Sequence, residues 1–164
     1  QKYLYTELYV LAILEDVFNI ANNLSVILAN YINNPNKDPQ KFLQSADRSI
    51  RAFCILKAFY TTYIKISPDK IPLNTDIFYS ADTGDLMAYL LSNYNFNQIP
   101  DSDDVAKDTR HVLINAKFVY TSVIKAIETN DMKSMNEFLR DVEHIEKYFK
   151  SIKAKAMNKV AAWL

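Results

Sequence analysis

DMKSMNEFLRDVEHIEKYFKSIKAKAMNKVAAWL, residues 131–164, carries apolar side chains at Phe138, Val142, Ile145, Phe149, Ile152, Ala156, Val160 and Trp163. Steps of three and four residues line up one side of an α-helix, whereas a strand would alternate by two. The stretch therefore predicts one long amphipathic helix, reaching roughly 50 Å at 1.5 Å per residue. A compact domain of this size does not require such a length, so the helix is either the spine of a bundle or in part a projecting arm.

The rest of the composition agrees with helices. With 164 residues and 49% apolar content the chain can bury one core but not comfortably two, which predicts a single domain over 1–164. One glycine in the whole chain leaves little for hairpins, bulges, phosphate loops or dinucleotide turns. Sheets and P-loop or Rossmann chemistry are thereby disfavoured. Nineteen basic and nineteen acidic residues cancel, so no overall field steers the protein toward nucleic acid or an anionic membrane. Cys54 is the only cysteine, which rules out an internal disulfide within these residues and is compatible with the cytoplasm. It reads as a small core residue. Residue 1 is Gln, so targeting is not legible. The abundance of Asn, Ile, Lys and Tyr is that of an AT-rich microbial or viral coding sequence.

Working back through the chain, residues 3–32 are nearly saturated with apolar side chains. Glu15, Asp16, Asn19, Asn22 and Asn23 interrupt them, and no run reaches the roughly 18 to 20 apolar residues of a membrane span, so no transmembrane segment is predicted. On a helical wheel Val10, Ile13, Leu14, Val17, Ala21, Leu24, Leu28 and Tyr31 form a broad apolar face beside a narrow strip of Asp16, Asn23 and Asn30. This predicts the most buried helix of the set. Residues 33–37 are a turn by composition, and Asp38 with Pro39 opens a second helix running to Lys65 with Phe42, Ala46, Ile50, Phe53, Leu56, Tyr60 and Ile64 inward. A long connection follows over 66–100, carrying a short helix from Ser80 or Asp82 to Ser92. Asp101, Asp103 and Asp104 begin another long helix, with Val105, Val112, Ala116, Val119, Val123 and Ile127 inward, up to a turn at Thr129, Asn130 and Asp131. The fold class is all-α: an antiparallel bundle of four long helices plus one short helix, arranged as a hairpin over 3–65, a connection, and a hairpin over 101–164.

Chemistry finds little purchase. Di-metal bundles use Glu-x-x-His pairs, but here Asp108 precedes His111 and Asp141 precedes His144, and His144 points away from the apolar stripe. Read as a calcium loop from Asp101, the chain puts Ala106 and Val112 where Gly and Glu are needed. No cofactor and no metal are called for. Arg140 and His144 are separated by three residues, one short of the spacing of HEPN-like ribonucleases, and fall mid-helix as ordinary neighbours. Lys147, Lys150, Lys153, Lys155 and Lys159 form a basic patch that suggests a nucleic-acid-binding small subunit, although it spreads around three sides of its helix.

Eleven tyrosines and nine phenylalanines exceed what one small core easily hides, and tyrosine on a surface contributes contact area at little entropic cost. The resulting expectation is a non-catalytic interaction or assembly module that meets a protein partner or itself. Tyr5, Tyr9, Tyr94, Phe96 and Trp163 are its candidate anchors.

Overall fold

The structure, a computed structural model, describes the backbone of residues 2–64 and 107–163 and the side chains of residues 8–62 and 110–163. Over these residues the chain is almost entirely helix, with no strand. α1 spans Lys2–Asn33, and α2 spans Pro39–Phe59 and continues into a π-helical turn at Tyr60–Ile64; α3 spans Lys107–Glu128 and α4 spans Met132–Trp163. The short helix expected before Ser92, and the start of the third long helix at Asp101 to Asp104, lie outside the described residues.

The helix ends follow from local chemistry. Asp38 sits in extended backbone (φ −119°, ψ 95°) and accepts from the Lys41 amide, while Pro39 occupies the first helical position, where it has no amide hydrogen to leave unpaired. Between α3 and α4 the backbone turns at Asn130, which takes φ 54°. The Asn130 amide donates to the Ile127 carbonyl and the Asp131 amide to that of Ala126, the paired closure of a Schellman motif. Asp131 then caps α4, its carboxylate accepting from the Ser134 amide (3.2 Å) and hydroxyl (2.8 Å). Those bonds hold the Asp131 carboxyl below its ordinary pKa. At the other end of α2 the Thr61 hydroxyl donates to the Lys57 carbonyl at 3.0 Å, with the Ala58 carbonyl 3.2 Å away, and the wide turn begins there.

The stripe that decides the fold class is inward as far as Ala156: Phe138, Val142, Ile145, Phe149, Ile152 and Ala156 are all buried. Beyond it Val160 is half-buried and Trp163 is 50% exposed. The inward sets of α1, α2 and α3 are likewise buried or half-buried wherever their side chains are described. The ranking of the helices differs from expectation. The most continuously buried stretch is not in α1 but at residues 52–60 of α2, where Lys57 alone is not buried. The cause is the number of neighbours. α2 meets α1 through the stacked rings of Tyr31 and Phe42 (4.1 Å) and α3 through Arg51 and Tyr120; it meets α4 through Phe53 with Phe138 (5.4 Å) and Tyr60 with Tyr148 (4.8 Å). Among the described residues α1 packs mainly on α4 and less on α2, and Leu8, Tyr9 and Val26 on it are exposed. Over Leu8–Asn33 it is long and apolar enough to cross a membrane by length and composition, yet only 28% of its most apolar window is buried. Composition alone is weak evidence of a span, because the core helix of a soluble protein passes the same test.

α3 is fastened to α2. Arg51 Nε donates to Asp47 Oδ2 at 2.7 Å and Nη2 donates to the Tyr120 hydroxyl at 3.1 Å, which itself donates to Asp47 Oδ1; the guanidinium also lies 4.4 Å from the centre of the Tyr120 ring. Although α3 and α4 are joined by only three residues, they touch sparingly.

Two measurements check this packing. Asn130→Val forces a β-branched residue into left-handed backbone and lowers unfolding free energy in urea titrations by about 1–2 kcal/mol, whereas Asn130→Gly leaves it near wild type. Burial first, and then the Asp47 hydrogen bond and charge, push the Tyr120 hydroxyl up to about 12 from 10.0. The folded state therefore keeps a proton that the unfolded chain gives up sooner. Tyr120's contribution is complete below pH 10 and is lost as pH rises toward 12, so Tyr120→Phe flattens the decline of stability across that interval.

Candidate interaction surface

The separation of α3 from α4 leaves a cavity of about 290 Å³ between them. Its α3 wall includes Val119, Ser122 and Val123; its α4 wall includes Met135, Glu137 and Phe138. Lys57 and Asp141 also line it, paired at 2.5 Å with side chains 21% and 31% exposed. At the α3 rim stands Phe118, 76% exposed, the most exposed of the large hydrophobic side chains described. Ile114, one turn before it, is 44% exposed. The groove is thus largely apolar on both walls with a charged pair embedded in it. Glu137 of α4 lines it and is exposed, and Lys125 is exposed on α3.

A second group of exposed apolar side chains occupies the end where α1 meets the last turns of α4. Lys153 on α4 reaches Glu15 (3.8 Å) and lies over the Phe18 ring (4.9 Å), which shows how the two helices face each other. Continuing outward from that contact, α1 presents Leu8 (43% exposed) and Tyr9 (37%), and α4 presents Met157 (51%) and Trp163 (50%). Of the candidate anchors read from the sequence, Tyr9 and Trp163 are among these exposed residues. Tyr94 and Phe96, and the side chain of Tyr5, lie outside the described residues. Phe118 was missed, because its position falls off the core stripe of α3. The signal available was the Ile114–Phe118 pair itself, two large apolar residues one helical turn apart on the face that the stripe leaves to solvent.

The basic patch divides. Lys147, Lys150, Lys155 and Lys159 are exposed, while Lys153 is half-buried against Glu15 and Phe18 and packs α4 onto α1. His111 and Arg140 are exposed and His144 is half-buried. Asp141, the carboxylate three residues before His144, is bound to Lys57. Among the described residues no three of His, Cys, Asp and Glu gather closely enough to hold a metal ion. Cys54 is fully buried, and burial pushes its thiol well above its ordinary pKa against the weaker pull of Lys57 and Arg51, so thiolate chemistry is suppressed. On the α1–α2 side a more open recess of mixed character is lined by Asn23, Asn30, Asn34, Ser45 and Ser49 together with Ile27, Tyr31 and Phe42. Beside it the buried Tyr31 hydroxyl has no hydrogen-bond partner among the described residues.

No known protein family matches this chain, and neither a curated protein nor a solved structure does.

The groove's charged pair can be tested directly. Asp141→Leu alone leaves the Lys57 ammonium without its acceptor among apolar walls and lowers stability by about 1–3 kcal/mol. Adding Lys57→Met removes the stranded charge, and the double variant recovers most of the loss in the same urea titrations.

Proposed function

We propose that this chain is a helical protein–protein interaction or assembly module that works by burying exposed apolar side chains and performs no chemistry of its own. The observation that carries the reading is Phe118. A phenylalanine three-quarters exposed at the lip of an apolar groove is unfavourable in water unless something covers it, and exposed apolar patches rimmed by polar residues mark interaction sites. The second apolar group, at Leu8, Tyr9, Met157 and Trp163, extends the same reading to the end of the α1–α4 pair.

The frame that presents these side chains is read as a single antiparallel bundle. Contacts that advance along one helix recede along the next support it: Asn23 meets Ser49 while Tyr31 meets Phe42. In the same way Arg51 meets Tyr120 while Thr62 accepts from Asn115. Phe53 with Phe138 and Tyr60 with Tyr148 advance together, as the first and third neighbours of an up-down arrangement do. A rigid frame of this kind lowers the entropic cost of presenting an apolar face to a partner.

Photo-crosslinking in the cells from which the protein comes checks the reading. With benzoylphenylalanine at position 118 or 163, a discrete adduct of fixed mass forms, and none forms from the exposed control Gln44. Equal adduct patterns from all three positions, or none from any, would remove the interaction surface.

A further inference from the structure

Resting on that reading, we propose that the partner at the α3–α4 groove is a second copy of this chain, joined about a two-fold axis that runs along the groove. Three observations point to a copy rather than to a different protein.

The first is that knob and hole lie side by side. Phe118 projects from the rim of the very cavity that could receive a side chain of its size, and a two-fold interface requires each face to carry both halves of the fit. A foreign partner would need only the hole.

The second is charge. Rotation about an axis along the groove lays α3 of each copy over α4 of the other, at equal distance from the Thr129–Asp131 turn. Lys125 precedes Asn130 by about as many residues as Glu137 follows it, so with a rise of about 1.5 Å per residue the two stand within roughly 3 Å of the same height. Lys125 of one copy thereby faces the partner subunit's Glu137, and the pairing occurs twice. Neither residue makes an ion pair among the described residues, so both are available. By the same count Phe118 stands level with the partner subunit's Asp141, over the Lys57–Asp141 pair, where a ring face is a favourable neighbour for an ammonium.

The third is area. α3 has 22 residues, about 33 Å of helix, and two helices side by side offer a face about 20 Å wide, or about 650 Å² from each copy. Two such faces total about 1,300 Å², inside the range of specific interfaces, though at its small end. An association of micromolar strength suits that size better than an obligate dimer.

The test is made on the purified chain. Sedimentation equilibrium over a range up to about 0.2 mM shows a monomer–dimer equilibrium. Phe118→Glu weakens it at least about 30-fold with an unchanged circular dichroism spectrum, as loss of a central anchor does. Lys125→Glu and Glu137→Lys each weaken dimerisation, and mixing the two variants restores association as a heterodimer. The pair Lys125→Cys with Glu137→Cys in one chain yields a covalent dimer under mild oxidation; the native thiol is buried and takes no part. A strict monomer across the range overturns the proposal, as does a dimer indifferent to these variants or a cysteine pair that yields no covalent dimer. None of those results touches the interaction reading, which stands or falls on crosslinking in cells. A monomer that crosslinks from position 118 to a different protein has another partner, whereas a monomer that crosslinks nowhere has no interface at all.

Discussion

α3 is tied to α2 by a small polar contact, the Asp47 carboxylate held between Arg51 and the Tyr120 hydroxyl. A three-residue turn would ordinarily lay α3 flat against α4, because neighbouring helices in a chain bury most by lying together. Here α3 is drawn to α2 instead, and each of the three side chains satisfies part of another's hydrogen-bonding capacity in a half-buried setting where leaving it unmade is costly. The consequence for the fold is geometric. α2 acquires neighbours on three sides and becomes the most continuously buried segment, while a groove opens between α3 and α4.

The same distribution explains how much could be read from residue order. Periodicity shows which residues of one helix share a side, so the inward sets of α2 and α4 were legible almost residue by residue, Phe53 and Leu56 in the one, Phe138 to Ala156 in the other. The caps at Asp38 and Asp131 were legible too, because a cap is chemistry between residues three apart. What periodicity lacks is the number of neighbours. α1 has the broader apolar face and yet is covered on less of it than α2, and nothing within residues 8–33 could reveal this. Lys153 shows the same gap from the polar side: in sequence it is one of five lysines in a basic tail, and in space it is a tie between two helices.

The candidate surface divides along that line. Trp163 belongs to the stripe that periodicity picks out, and it is half exposed where that stripe continues past the buried Ala156. Phe118 belongs to no stripe, and its weight comes from where α3 happens to sit: swung toward α4, the same helix would have given that ring a place in the interior. Its exposure is thus a property of the Asp47–Arg51–Tyr120 tie as much as of the residue itself, and the polar contact and the apolar surface are two aspects of one arrangement.

Cys54 has a consequence of a different kind. The lone thiol sits amid the best-covered part of α2, sealed from solvent and held in its unreactive protonated form. Oxidants and alkylating reagents meet it only when that segment opens, so chemical damage at sulfur proceeds at the pace of unfolding rather than at the pace of collision. The molecule in effect keeps a count of its own excursions from the native state, written irreversibly at a single atom.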